Sequence, residues 1–129
     1  MNDKVEKDWV TARSLCSLPN VFKQLRLQVE EDVKTRNALR PDNSPYEFKV
    51  TEDGDEFTVL LEAGEVRRSV IFSLAEHAIL VRDSRGKTMF DVTLIFSEEG
   101  ECKLNVQEKE RELWQVRRMA LEELLFRSY

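Results

Sequence analysis

The sequence predicts an α+β fold: two N-terminal helices, a six-stranded antiparallel meander and a long C-terminal helix, with the helices packed on one sheet face. Three observations carry this expectation. Apolar residues recur at helical spacing up to about residue 45 and again from about residue 109. Between those limits they alternate with period two. Short turn signals separate the alternating runs. The 129 residues are read as a single domain, with a helical part over 1–45, the sheet over 46–108 and the C-terminal helix over 109–129.

The first helix is expected over 4–16, where Val5, Trp9, Ala12 and Cys16 fall on one side. "SLPN" interrupts it and places Pro19 near the start of a second helix, where a missing N–H costs little. That helix runs to about Leu39 with Phe22, Leu25, Val29 and Val33 on one stripe, and "RPDNSP" ends it. The strands follow as "YEFKV", "FTVLLE", "RRSVIF", "AILV", "FDVTLIF" and "CKLNV". The signals "EDGD", "AGEV", "DSRGK" and "SEEGE" divide most of them. "LAEH" is the weakest break, and a turn at Ala75–Glu76 is placed there because the strand would otherwise change face.

Register can be tested by counting outward from tight turns at 53–54, 64–65, 75–76 and 85–86 and a three-residue turn at 98–100. One row becomes Val50, Phe57, Phe72, Ile79, Val92 and Val106. The next becomes Phe48, Val59, Val70, Val81 and Phe90, ending at Glu108. All but Glu108 are apolar, so one face of the sheet is greasy. The other face is mostly polar but carries Leu60, Ile71, Leu80 and Ile95, with Ile71 expected opposite Leu80. These four are candidate residues of a homodimer contact.

From about 109 to 127 the helical period returns, with Leu113, Trp114, Val116, Ala120, Leu121, Leu124 and Leu125 in a wide apolar arc. Covering the greasy sheet face with this helix buries both, and each large side chain so buried contributes roughly 1.5–3 kcal/mol. The element order resembles the helix-grip, or START-like, fold, in which a curved antiparallel sheet wraps a long C-terminal helix. That resemblance rests on element order and on no residue motif, and the family usually opens with a strand where this chain opens with a charged helix. It implies an apolar cavity between sheet and helix, and no site residue is carried over from it.

Composition narrows the function classes. The net charge of −5 argues against a sequence-independent nucleic-acid binder, which needs a basic face. No apolar run approaches the roughly 20 residues that span a bilayer, and "MNDKVEKD" is read as lacking a signal peptide, so a cytoplasmic location is expected. Cys16 and Cys102 match no CxxC pattern and are read as buried reduced thiols, with a disulfide as the alternative. One histidine and two scattered cysteines supply no zinc site, and no cofactor motif is present.

The anomaly lies in the charges on the apolar faces. Arg117 projects between Leu121 and Leu124, and on the second helix Asp32 and Arg36 sit inside the apolar arc, four residues apart. Asp83 and Glu108, at the rim of the covered face, are the other acids within reach. An internal ion-pair network is one reading. The other is an anion pocket in which Arg36 and Arg117 hold a carboxylate or phosphate. His77 is read as a turn-flanking residue, "DSRGK" as a hairpin turn, and the acidic runs "EEDV", "EDGDE" and "SEEGE" as solvated positions without calcium-loop spacing. Met119 and Phe126, with Tyr129, point away from the arc and are candidate partner contacts.

With no catalytic constellation, the expected function is a non-enzymatic protein-interaction module that self-associates as a homodimer or joins a protein partner. The alternative is a helix-grip-like carrier or sensor of a small amphipathic anion held between sheet and C-terminal helix.

Overall fold

The computed structural model describes residues 6–127. Its elements run α1 (Trp9–Leu15), α2 (Leu18–Ala38), β1 (Phe48–Asp53), β2 (Glu56–Ala63), β3 (Val66–Leu74), β4 (Ile79–Asp83), β5 (Thr88–Phe96), β6 (Cys102–Val106), β7 (Lys109–Arg111) and α3 (Leu113–Phe126). The strands form one antiparallel sheet in the order β1 to β7, a meander without crossovers. The fold is α+β as expected, with seven strands in place of six.

The extra strand comes from a turn that the sequence conceals. Gln107 and Glu108 both take positive φ, 53° and 65°, and reverse the chain so that Val106 pairs with Lys109 and Leu104 with Arg111. Neither is glycine or asparagine, the usual occupants of such a turn, so no signal marks it. The C-terminal helix therefore starts at Leu113 and not at 109. Glu108 lies exposed in that turn, away from the covered face where it was expected.

Three of the five expected registers are observed: Phe57 pairs with Phe72, Ile79 with Val92, and Thr93 with Asn105. The other two are offset by two residues. Val50 pairs with Val59 because the β1–β2 turn is Gly54–Asp55, and Phe72 pairs with Val81 because the β3–β4 turn spans four residues, closed by Ala75 N–H donating to Ala78 O (2.9 Å). A two-residue slip keeps every side chain on its own face. The greasy face survives intact, but Ile71 pairs with Arg82 and Leu80 with Ser73, so Ile71 and Leu80 are not opposite each other.

Phe48, Phe57, Val59, Leu61, Val70, Phe72, Ile79, Val81, Phe90, Val92, Leu104 and Val106 are buried on the covered face. From α2 they meet Val21, Phe22, Leu25, Val29 and Val33, and from α3 Val116, Ala120, Leu121, Leu124 and Leu125, in one cluster. Phe22 packs tilted on Phe57 (5.1 Å between centroids), and Phe57 stacks on Phe72 (4.5 Å). The space beneath α3 is thus filled by side chains.

Helix α1 is shorter than expected, and its Trp9 stays 63% exposed where the sequence placed it on an apolar face; Val5 lies outside the described residues. Asp8 caps α1, its carboxylate accepting from Thr11 N (3.1 Å) and Thr11 Oγ1 (2.7 Å), and the hydroxyl donor above all holds the Asp8 carboxyl below its usual range. No residue of α1 itself is buried. What fastens the helix is the residue after it: Cys16 is joined to Cys102 at the start of β6. The expectation of reduced thiols is therefore corrected. Helical and strand patterning place each cysteine in its own element but say nothing of their distance in space.

At the free edge of the sheet, Asn37 of α2 acts as a surrogate strand. Its Nδ2 donates to Phe48 O (2.8 Å) and its Oδ1 accepts from Phe48 N (2.9 Å), closing the first outward pair of β1. Blocking an edge in this way limits pairing with foreign strands.

Two stability changes follow. Asn37→Ala strips both hydrogen bonds from a half-buried strand start and should cost about 1–2 kcal/mol in urea unfolding. Reducing Cys16–Cys102, which closes a loop of sequence separation 86, should cost about 3 kcal/mol and lower Tm by about 10 °C. Calorimetry with and without a dithiol measures the second.

Candidate functional site

The charges of the apolar faces meet along the seam between α2 and α3. Arg117 Nε donates to Asp32 Oδ2 at 2.6 Å, and a second guanidinium nitrogen of Arg117 donates to Gln28 Oε1. Gln28, Asp32 and Arg36 lie four apart on α2, so all three face α3. Arg36 does not share the Asp32 carboxylate. Its Nε donates to Leu125 O (2.8 Å) near the C-terminal end of α3, and its guanidinium lies over the rings of Phe48 (5.8 Å) and Phe126 (5.2 Å). Because Arg117 reaches Gln28 and Asp32 while Arg36 reaches Leu125, the two helices run in the same direction. Arg36 places its cation where the α3 macrodipole is negative.

The expected second cation at Asp32 is thus absent among the described contacts. Asp83 is elsewhere too: its carboxylate caps the β4–β5 turn, accepting from Arg85 N (2.9 Å) and Lys87 N (3.0 Å). His77 lies in the exposed β3–β4 turn, 3.8 Å from the Glu76 carboxylate.

Above the seam lies a groove of about 390 Å³ between α2 and α3. Leu121 and Leu125 form its floor, Arg36, Arg117 and Arg118 supply cations, and Asp32 and Glu122 supply carboxylates. Leu39, Trp114 and Phe126 border it and stay 75%, 49% and 67% exposed. Trp114, expected in the buried arc, is turned outward with its indole N–H donating to Glu112 Oε2 (2.6 Å). Gln115 Oε1 accepts from Glu112 N (2.8 Å), which fixes the start of the helix. Phe126 points outward as expected, whereas Met119 packs against the core. Tyr129 lies outside the described residues.

The back of the sheet differs in character. Leu60, Ile71 and Leu80 are half-buried and only Ile95, at 55%, is well exposed. Between Ile71 and Leu80 runs a polar cluster, in which Arg82 Nη2 donates to Ser73 Oγ (2.7 Å) and Glu56 Oε2 (3.0 Å) and the Ser73 hydroxyl donates to Glu56 (3.1 Å). The four aliphatics are thus divided by a hydrogen-bonded polar strip, although Arg82 Nε within it is buried without a partner among the described residues.

Two further clefts open at the flanks of the helices. One, between α3 and the ends of β3 and β4, is lined by Arg67, Arg68, Arg85 and Arg127 but also by Glu65, Asp83 and Glu123. Its charges nearly balance, which suits neither an anion nor a cation. The other lies beside the disulfide, where Lys103 binds Glu101 (2.8 Å) and stands 3.7 Å from Glu110. Its hydrogen bond to Glu101 above all raises Lys103 and lowers Glu101 from their ordinary values. Among the described residues no group of three or more metal-ligating side chains converges.

Sequence reasoning singled out Arg117, Asp32, Arg36 and Phe126, which do gather at the groove, but passed over Leu39, Trp114, Arg118 and Glu122. The last three continue to Phe126 at a spacing of four, a signal that could have been read on its own.

The Arg117–Asp32 pair is only partly sheltered, so its stabilisation is modest. Arg117→Met should lower stability by about 1 kcal/mol, shifting Tm by about 3 °C. A double-mutant cycle with Asp32→Ala should return most of that as coupling energy. Compared with protein-family models, with curated proteins and with solved structures, the chain matches none.

Proposed function

We propose that this chain is a non-enzymatic interaction module that associates with a second copy of itself through the outer face of its helical layer. One observation carries the reading. Leu39, Trp114 and Phe126, three of the large apolar side chains left exposed among the described residues, stand around a single groove on the outer side of α2 and α3. Exposed apolar surface gathered in one place marks contact surface more often than scattered residues do. The sheet back, favoured by sequence, is the weaker candidate because a polar strip divides its aliphatics.

The carrier reading loses its support where it needs most. A helix-grip carrier holds its ligand beneath the C-terminal helix, and here Val116, Leu121, Leu124 and Leu125 fill that space. Two of the three guanidinium nitrogens of Arg117 are engaged by Asp32 and Gln28, and the Asp32 carboxylate already balances its charge, which weakens the anion-pocket reading. As to compartment, the described residues contain no helix long and apolar enough to cross a membrane. A disulfide persists in oxidising surroundings, which favours such a compartment over the cytoplasmic one expected from sequence.

Sedimentation velocity from about 1 to 200 µM should show a concentration-dependent dimer, the range in which a small interface dissociates. Phe126→Glu should abolish it and Ile95→Glu should leave it unchanged. A strict monomer across that range, or the opposite ranking of the two variants, would refute this assignment.

A further inference from the structure

The outer face of α3 has a sequence order that matches itself when reversed. Trp114, Arg118, Glu122 and Phe126 lie four apart and form one ridge about 18 Å long on the helix surface. The order is aromatic, cation, anion, aromatic. From this we infer that two copies dock by laying α3 antiparallel on α3, about a two-fold axis at the level of Ala120. The inference rests on the self-association proposed above and gives it an interface and a register.

In that register each Trp114 meets Phe126 of the second copy, and each Arg118 meets its Glu122. A two-fold contact must be self-complementary, since each pairing occurs twice. A parallel arrangement in register would set Arg118 on Arg118 and Glu122 on Glu122, so charge alone selects the antiparallel one. Packing along ridges of this spacing is a common way for helices to cross, at an angle of about −50°.

Three local features suit the ridge to burial. The Trp114 N–H is already satisfied by Glu112, so its ring can be covered without orphaning a donor. Phe126 is steadied from behind by the Arg36 guanidinium at 5.2 Å. Arg118 Nε and Nη2 reach Glu122 at 3.2 and 3.3 Å, both side chains being more than half exposed. Within a lone helix this cation-before-anion order is the less favourable of the two. Against an antiparallel neighbour each charge also finds the opposite charge of the second copy.

The test uses Arg118→Glu and Glu122→Arg in the full chain. Arg118→Glu sets Glu against Glu twice, and Glu122→Arg sets Arg against Arg twice. Each variant alone should dimerise about 100-fold more weakly than the parent. Mixed one to one, they should form a heterodimer with near-parental affinity, because every Glu then faces an Arg. The double variant R118E/E122R should dimerise as the parent does. Thermal melts confirm that all three fold, since exchanging exposed charges changes stability little. A parent that dimerises while both single variants dimerise equally well would overturn this interface and leave self-association standing. Single variants that lose the dimer but fail to recombine in the mixture would overturn the antiparallel register. A monomeric parent would remove both proposals together.

Discussion

The structure depends on covering one apolar face of a seven-stranded meander. Period-two alternation collects the large side chains of β1 to β6 on a single side, and the sheet stays open, with β1 and β7 as its edges, so it does not cover that face itself. Two helices therefore share the task. α2 and α3 lie side by side on the sheet and run in the same direction, so their dipoles do not offset each other. The polar residues among their apolar positions compensate for this. Arg117 fastens the first half of α3 to Gln28 and Asp32, and Arg36 reaches the carbonyl of Leu125 near its end. The guanidinium in the middle of an apolar face is thus a stitch between helices. The long aliphatic stem packs, and the charged head meets its partners at the partly exposed seam between the helices.

Which face each strand residue takes was legible in the sequence, and which residue it pairs with was legible only in part. Gly64–Glu65 and the turn over 98–100 give the expected register because their lengths could be read from the glycines. In "EDGD" and "LAEH" the reversal could sit at either of two places that leave the faces unchanged, so patterning had no power to choose. This ambiguity has a consequence for function. A patch built from Ile71 opposite Leu80 exists only in the expected register; in the observed one, offset by two residues, Arg82 stands opposite Ile71 and the patch gives way to a polar strip.

Two features left no trace of the right kind. The turn at Gln107–Glu108 uses residues that favour negative φ, and it is held by the pairing of β7 with β6 and not by its own preference. The bridge between Cys16 and Cys102 joins residues at a sequence separation of 86, and only the completed sheet brings β6 beside the end of α1. Both are tertiary facts imposed on local sequence. The bridge also explains how a seven-residue helix with no buried residue of its own keeps its place, since short helices without packing are marginal.

The helix α3 shows how a single element can serve two surfaces. Its 14 residues divide by angle: Val116, Ala120 and Leu124 face the sheet, Arg117 and Leu121 face α2, and the ridge from Trp114 to Phe126 faces outward. A helix whose only role was to close the core would gain nothing from an outward tryptophan and phenylalanine, and polar residues there would improve solubility. The sequence instead sets these two rings at the ends of the ridge and opposite charges between them. In the proposed dimer the apolar ends would give the contact its strength, and the charges would fix direction and register by excluding the parallel alternative. The same charged residues keep the ridge from being a continuous greasy strip, which limits non-specific contacts while leaving the proposed pairing self-complementary.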